Sequence, residues 1–220
     1  MIEVVLAIAL FIALVYLLIY LFSNKTLVSY SDATVETVVQ PSSLADPTST
    51  NYTYSVWVYI KDWSVNYGRL KPIVVRDGNV PSIYLGAVDN TLTTKIKLSD
   101  GRFAVCEIAE VPIQAWTNIL ITVSGKSLDT YLNGKLVKTC VLTSPQATPS
   151  DSALLHLTPN GGFSGYTARL KYWAAAIGPQ EAWNNYVSGP GGNFFNNVLS
   201  QYKLQFNFLK GTETQLSVTI

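Results

Sequence analysis

Hydrophobic positions fall into two regimes along the chain. Residues Val4–Phe22 (VVLAIALFIALVYLLIYLF) form 19 consecutive apolar positions. As a helix rising about 1.5 Å per residue, this run would be roughly 28 Å long, close to the ~30 Å hydrocarbon core of a bilayer. Tyr16 and Tyr20 stand toward one end, where aromatic rings suit the headgroup region. The run has no polar stripe, unlike an amphipathic helix on a soluble core. It also has no basic preceding segment and no A-x-A-like site before Ser23, unlike a cleaved signal peptide. The pattern predicts a single-pass transmembrane anchor over residues 1–23, held by the lipid bilayer through residues 4–22. The single Lys25 on its flank does not set an orientation.

After the anchor the period changes to two. Asn24–Thr50 holds short β-prone pieces, Leu27–Tyr30 and Val35–Val39, then the Pro/Ser/Thr-rich stretch PSSLADPTST. That composition predicts a stalk or linker over 24–50. Tyr52–Lys61 (YTYSVWVYIK) is rich in aromatic and β-branched residues and apolar on both faces in its second half, as a central strand would be. Further strands are expected at Pro72–Arg76, Ser82–Val88, Leu92–Leu98 and Arg102–Ile108, with Asp77-Gly78 and Asp100-Gly101 as turns. Trp116–Val123, Leu128–Leu132 and Lys135–Leu142 alternate clearly. Asn133-Gly134 joins the last two, and both residues of that pair accept the positive φ of a type I′ turn. Ala153–Leu157 and Tyr166–Ala175 complete the set. Pro179–Tyr186 reads as a short helix, with Pro in its first turn and Glu181 near its positive end. Tyr202–Leu209 and Gln215–Thr219 are the strands of a β-rich tail over 193–220, expected to pack on the sandwich. Short strands at this spacing predict an all-β antiparallel sandwich over 51–192.

Composition narrows the function. The chain is 48% hydrophobic but only 13% charged, with a net charge of +1. Charge this sparse argues against nucleic acid as a partner. A single His and a single Met leave little material for a His-based metal or catalytic centre. His156 lies between apolar neighbours with no nucleophile motif nearby, so it reads as a strand residue with a satisfied hydrogen bond. Asp62, Asp77, Asp89, Asp100 and Asp129 stand singly beside turns and read as turn residues. No metal or cofactor site can be named. Trp57, Trp116 and Trp173 sit inside apolar strands and are expected in the core. Trp63 and Tyr67 lie in the loop-like stretch DWSVNYGR and are the candidates for exposed ligand contact. Asn51-Tyr52-Thr53 is a glycosylation sequon, as is Asn24-Lys25-Thr26 beside the anchor. Cys106 and Cys140 allow one bridge, against the alternative of two buried thiols.

The order of motifs carries a resemblance. A W-x-x-I-x-I strand at Trp116 precedes L-D-T-Y-L-N-G-K-L-V at 128–137. G-F-S-G-Y follows at 162–166, then L-K-Y-W at 170–173 and a G-P-Q-E-x-W helix. This resembles the laminin G-like branch of the concanavalin A-like lectin/glucanase superfamily, over about residues 51–192. The resemblance implies a jelly roll of two packed antiparallel sheets. It also favours a disulfide between Cys106 and Cys140. The glucanase branch carries a Glu-x-Asp-x-x-Glu run. The nearest stretch here, Val105-Cys106-Glu107-Ile108-Ala109-Glu110, fails at two of those acids, so no catalytic residue and no enzyme activity are expected. Anchor, sandwich and β-rich tail together are similar to membrane-anchored virion proteins of large nucleocytoplasmic DNA viruses. That implies a non-catalytic structural protein at a virion membrane/capsid interface, tethering membrane to shell through other capsid proteins. The alternative is a membrane-anchored lectin-like module binding glycan through Trp63 and Tyr67.

Overall fold

The structure, a computed structural model, describes residues 26–191 and the backbone of two later strands, 205–210 and 213–219. The expected anchor over 1–23 lies outside the described residues. Among those described, no helix is long and apolar enough to cross a membrane.

Two six-stranded antiparallel sheets face each other. The strands, in chain order, are β1 (Thr26–Asp32), β2 (Thr37–Val39), β3 (Tyr52–Ile60), β4 (Lys71–Arg76), β5 (Ser82–Leu85), β6 (Leu92–Lys97) and β7 (Phe103–Ile108). They continue with β8 (Trp116–Ser124), β9 (Ser127–Leu132), β10 (Lys135–Val141), β11 (Leu155–Leu157) and β12 (Gly165–Trp173). The first sheet runs β1-β12-β3-β8-β9-β10, and the second β2-β11-β4-β5-β6-β7. Helix α1 (Pro179–Val187) follows β12. Strands β13 (Gln205–Lys210) and β14 (Glu213–Thr219) pair with each other as a separate two-stranded sheet. The tail's expected packing on the sandwich rests on side chains outside the described residues.

The alternation seen in sequence sets the core. Tyr52, Tyr54, Val56, Val58 and Ile60 of β3 meet Ile119, Ile121 and Val123 of β8 across the first sheet. Ile73, Ile83, Leu85, Leu92 and Ile96 come from the second. Members of one strand are two or four residues apart and so share a face.

The stalk expectation over 24–50 needs correction. β1 pairs with β12 and β2 with β11, so this segment closes one edge of both sheets. Ala33 and Leu44 are buried in the core. The Pro47 carbonyl accepts from the Arg76 guanidinium, and the Asp46 carbonyl accepts from the Tyr172 hydroxyl at 3.0 Å. An edge strand buries little of itself, which is why β1 shows no apolar stripe.

At the opposite edge Cys106 of β7 and Cys140 of β10 are joined in a disulfide, with Cα atoms 6.1 Å apart. These are the last strands of the two sheets, so the bond clips one sheet to the other.

α1 covers part of the outer face of the first sheet. Ala182 packs with Leu120, Tyr131 and Ile177, and Tyr186 stacks on Trp57 with centroids 5.6 Å apart. Beneath the helix lies a polar layer. Lys171 Nζ donates to Asn185 Oδ1 at 3.1 Å. Asn185 Nδ2 and Asn118 Nδ2 donate to Ser55 Oγ at 2.7 and 3.0 Å. Burial, then the neighbouring Arg169 charge, pulls the Lys171 ammonium down to about 8. A lysine whose pKa falls on folding binds fewer protons in the folded state, so stability rises with pH above the folded value. We expect stability to increase by roughly 1–2 kcal/mol between pH 8 and 9.5. Lys71, buried against the Asn66 and Ala87 carbonyls, shifts in the same direction. Above pH 10 the buried tyrosines Tyr52, Tyr54 and Tyr172, whose pKa values burial raises, reverse the trend. Urea titrations of the parent protein and Lys171→Met across this window check the slope. The variant should be flatter, and a flat parent profile would contradict the assignment.

Candidate functional site

The part of the first sheet's outer face that α1 leaves open is aromatic. With Val58 and Ile60 turned into the core, Tyr59 of β3 points outward. Tyr166 of β12 and Trp116 of β8 are its direct cross-strand partners. Tyr30 on the edge strand β1 completes a row over four adjacent strands. Tyr30 stacks on Tyr166 with centroids 5.5 Å apart and lies 6.4 Å from Trp116. Tyr59 lies 5.7 Å from Trp116 and 6.4 Å from Tyr166. Tyr30 is 60% exposed, and the other three are half-buried. Trp57, Tyr186 and the exposed Trp183 extend the aromatic area toward α1.

The rim is polar. Asp32 accepts from the Thr34 hydroxyl and amide at 2.7 and 2.8 Å, and these bonds, with help from Lys61, hold its carboxyl below the usual range. Asp62 accepts from Ser64 and from Ser164 Oγ, with the same result. Desolvation by neighbouring rings, then Tyr166 and Asp32, pushes the Tyr30 hydroxyl up. The surface therefore offers ring faces, phenolic hydroxyls and two ionised carboxylates.

Gly165 fixes this geometry. It opens β12 at φ +151°, and a Cβ there would sit 1.9 Å from the Tyr59 carbonyl oxygen. Gly165→Ala must push β12 off β3 where Tyr166 meets Tyr59. We expect a loss of about 1–3 kcal/mol of stability by thermal denaturation, as for an overpacked site.

A family model described as the concanavalin A-like lectin/glucanases superfamily matches residues 31–182. The chain belongs to that superfamily. The match begins within β1, in agreement with the paired edge strands. Solved structures of similar fold include the botulinum neurotoxin serotype G binding domain (TM-score 0.52, 14% identity, covering 63% of this chain and 37% of that one). Another is the serotype D ligand binding domain in complex with N-acetylneuraminic acid (0.57, 10%, 72% and 41%). A third is the binding domain of botulinum neurotoxin DC in complex with rat synaptotagmin II (0.56, 15%, 70% and 40%). This chain spans about two fifths of each of them, and identities this low speak to fold alone. No curated protein sequence matches.

Several residues of this superfamily member stand differently from expectation. Trp63 is turned inward. It is half-buried against the core, with the Lys71 ammonium 4.9 Å from its ring centroid. It is therefore not the exposed contact expected beside Tyr67, which is 68% exposed. Of the three tryptophans expected in the core, Trp57 is buried, while Trp173 and Trp116 are half-buried, and all three lie on the outer face of the first sheet. Trp57 and Trp173 pack against α1 and its polar layer, and Trp116 belongs to the open aromatic row. Asn51 is exposed, and its Oδ1 accepts from the Gly125 amide at 2.9 Å.

Asp62, Asp77, Asp89 and Asp100 are turn or surface residues, but Asp129, expected beside a turn, stands half-buried within β9, where it accepts from Ser127 Oγ at 3.0 Å. Asp62, Asp89 and Asp100 each accept from a backbone amide two residues on. Glu107 is exposed on β7, and Glu110 lies beyond that strand at φ 63°. His156 Nδ1 lies 2.6 Å from Glu36 Oε1, and its Nε2 lies 3.4 Å from Asp77 Oδ1. Among the described residues no group of three His, Cys, Asp or Glu side chains could hold a metal ion.

The surface of the described residues includes two shallow hollows. One of about 180 Å³ is lined by Asn66, Arg69, Tyr84 and Asn160, and one of about 270 Å³ by Asp77, Lys97 and Ser150. Both are smaller than the ~300–1,000 Å³ of an ordinary small-molecule site.

Proposed function

We propose that the chain is a non-catalytic binding module, anchored in a membrane by residues 4–22, that holds a protein partner through the aromatic row Tyr30–Tyr166–Tyr59–Trp116. The observation that carries this reading is the row itself. Four neighbouring rings on a sheet face, rimmed by hydrogen-bonded polar groups, have the composition of a protein-interface hot spot. The low charge of the chain fits a surface that partners cover. The resemblance to virion proteins suggests a shell protein as that partner, with the module tethering membrane to shell. Glycan is the second reading. The serotype D neighbour was solved with N-acetylneuraminic acid, and aromatic faces beside carboxylates could also stack a sugar. A photo-crosslinking amino acid at Tyr30 in the full chain, within its native assembly, separates the two. The proposal expects an adduct to another polypeptide. Failure to form one, together with Tyr30-dependent binding on a glycan array, would replace protein with carbohydrate.

A further inference from the structure

The edge position of Thr26 bears on how the sandwich stands in space. Only Ser23, Asn24 and Lys25 separate the apolar run from β1, and the four extended steps from Phe22 to Thr26 span at most about 14 Å. The end of the first sheet where β1 begins must therefore lie within that reach of the anchor's last residue. Antiparallel pairing identifies what else is at this end. Thr26 is level with Lys171, Trp173 is level with Thr53, and Tyr52 is level with Val123. The turn Ser124–Ser127, the segment Ala174–Gly178 and the loop Asp46–Asn51 consequently share it. Hydrogen bonds from the Gly125 amide to Asn51 Oδ1 and from Ser49 Oγ to the Ala174 carbonyl tie them together.

We infer that this end of the sandwich rests on the lipid headgroups, so that the domain stands upright on the bilayer. The inference depends on the anchored reading above. The three segments hold only two ionisable side chains, Asp46 and Lys126, of opposite sign. Ala175 and Ala176 are exposed, and Val141, which closes β10 opposite Ser127, is 83% exposed. Little charge is desolvated when such a surface meets headgroups, and Lys126 suits anionic ones. The second sheet's turns at the same end carry Asp77 and the Asp100–Arg102 pair, 2.7 Å apart. The first sheet's edge, which bears the tether, therefore lies deeper. Tyr59, Trp116, Tyr166 and Tyr67 fall at or toward the other end. Nine-residue strands put the two ends roughly 30 Å apart. In this arrangement the aromatic row lies on the side of the upright domain, with Tyr59, Trp116 and Tyr166 at its membrane-distal end.

The test uses the full chain reconstituted in phosphatidylcholine–phosphatidylserine vesicles. A fluorophore is placed at Lys126→Cys, at Ala175→Cys or at Tyr67→Cys, with the native disulfide intact, and headgroup spin-labelled lipid is the quencher. Quenching at 126 and 175 should exceed that at 67 by at least threefold. Equal quenching at all three, in protein that resists carbonate extraction, would overturn the upright arrangement while leaving the anchor standing. Release by carbonate would overturn the anchor and the arrangement with it.

Discussion

Replacing both Cys106 and Cys140 with serine lowers the unfolding free energy by about 3–4 kcal/mol, the expected entropy effect of opening a loop of this size. The cysteines are 34 positions apart in sequence and join the terminal strands of the two sheets. Besides the disulfide, Lys138 Nζ donates to the Glu107 carbonyl at 2.8 Å across the same gap. Without the covalent bond, the edge strands β7 and β10 are held to each other mainly by their exposed flanks. A fall in melting temperature on the order of 10 °C follows for a domain of this size. Scanning calorimetry of the parent and the double variant measures it, and unchanged melting would mean that the bridge does not form. Partner binding below the transition should persist, because Tyr30 lies on the opposite edge strand, β1.

Truncating the aromatic row has the larger functional effect. Trp116→Ala removes the ring that meets both Tyr30 and Tyr59, and Tyr30→Ala removes the most exposed member. Central aromatic residues of an interface typically cost 2 kcal/mol or more when cut to alanine. Each variant should therefore weaken the partner complex by about 30-fold or more in Kd. Tyr30→Ala should leave the melting temperature nearly unchanged, since its ring is mostly in solvent. Trp116→Ala, half-buried, loses some stability as well. Titrating the crosslinked partner against each variant by biolayer interferometry gives both ratios. A Tyr30→Ala variant that binds like the parent would remove the row from the interface.

Much of this architecture was legible before any coordinates. Strict alternation in Trp116–Val123 and the Asn133-Gly134 turn located β8, β9 and β10, because a two-residue period and a turn needing positive φ are local properties. Leu27–Tyr30 read as β-prone, but its membership of the sheet was not legible, for the opposite reason. An edge strand gains its hydrogen bonds from β12, about 140 residues later, and its own burial is too slight to leave a clear pattern. The aromatic row was hidden by the same non-local pairing. Tyr30, Tyr59, Trp116 and Tyr166 are scattered over 137 positions and meet only through strand register. One signal could have pointed there. The second half of β3 is apolar on both faces, which calls for a second cover or a second use on the outer side. α1 supplies the cover over Trp57, and Tyr59 is left for the use. Trp63 misled because a loop-like sequence does not reveal that its ring turns back onto Lys71.

The most direct test of the central claim is hydroxyl-radical footprinting of the full chain, purified and within its native assembly. Tyr30 and Trp116 should be modified in the purified protein and protected in the assembly, while Tyr67, far out on its loop, stays reactive in both. Protection of Tyr67 with Tyr30 and Trp116 still reactive would contradict the account, because it would move the binding surface from the sheet face to the loop.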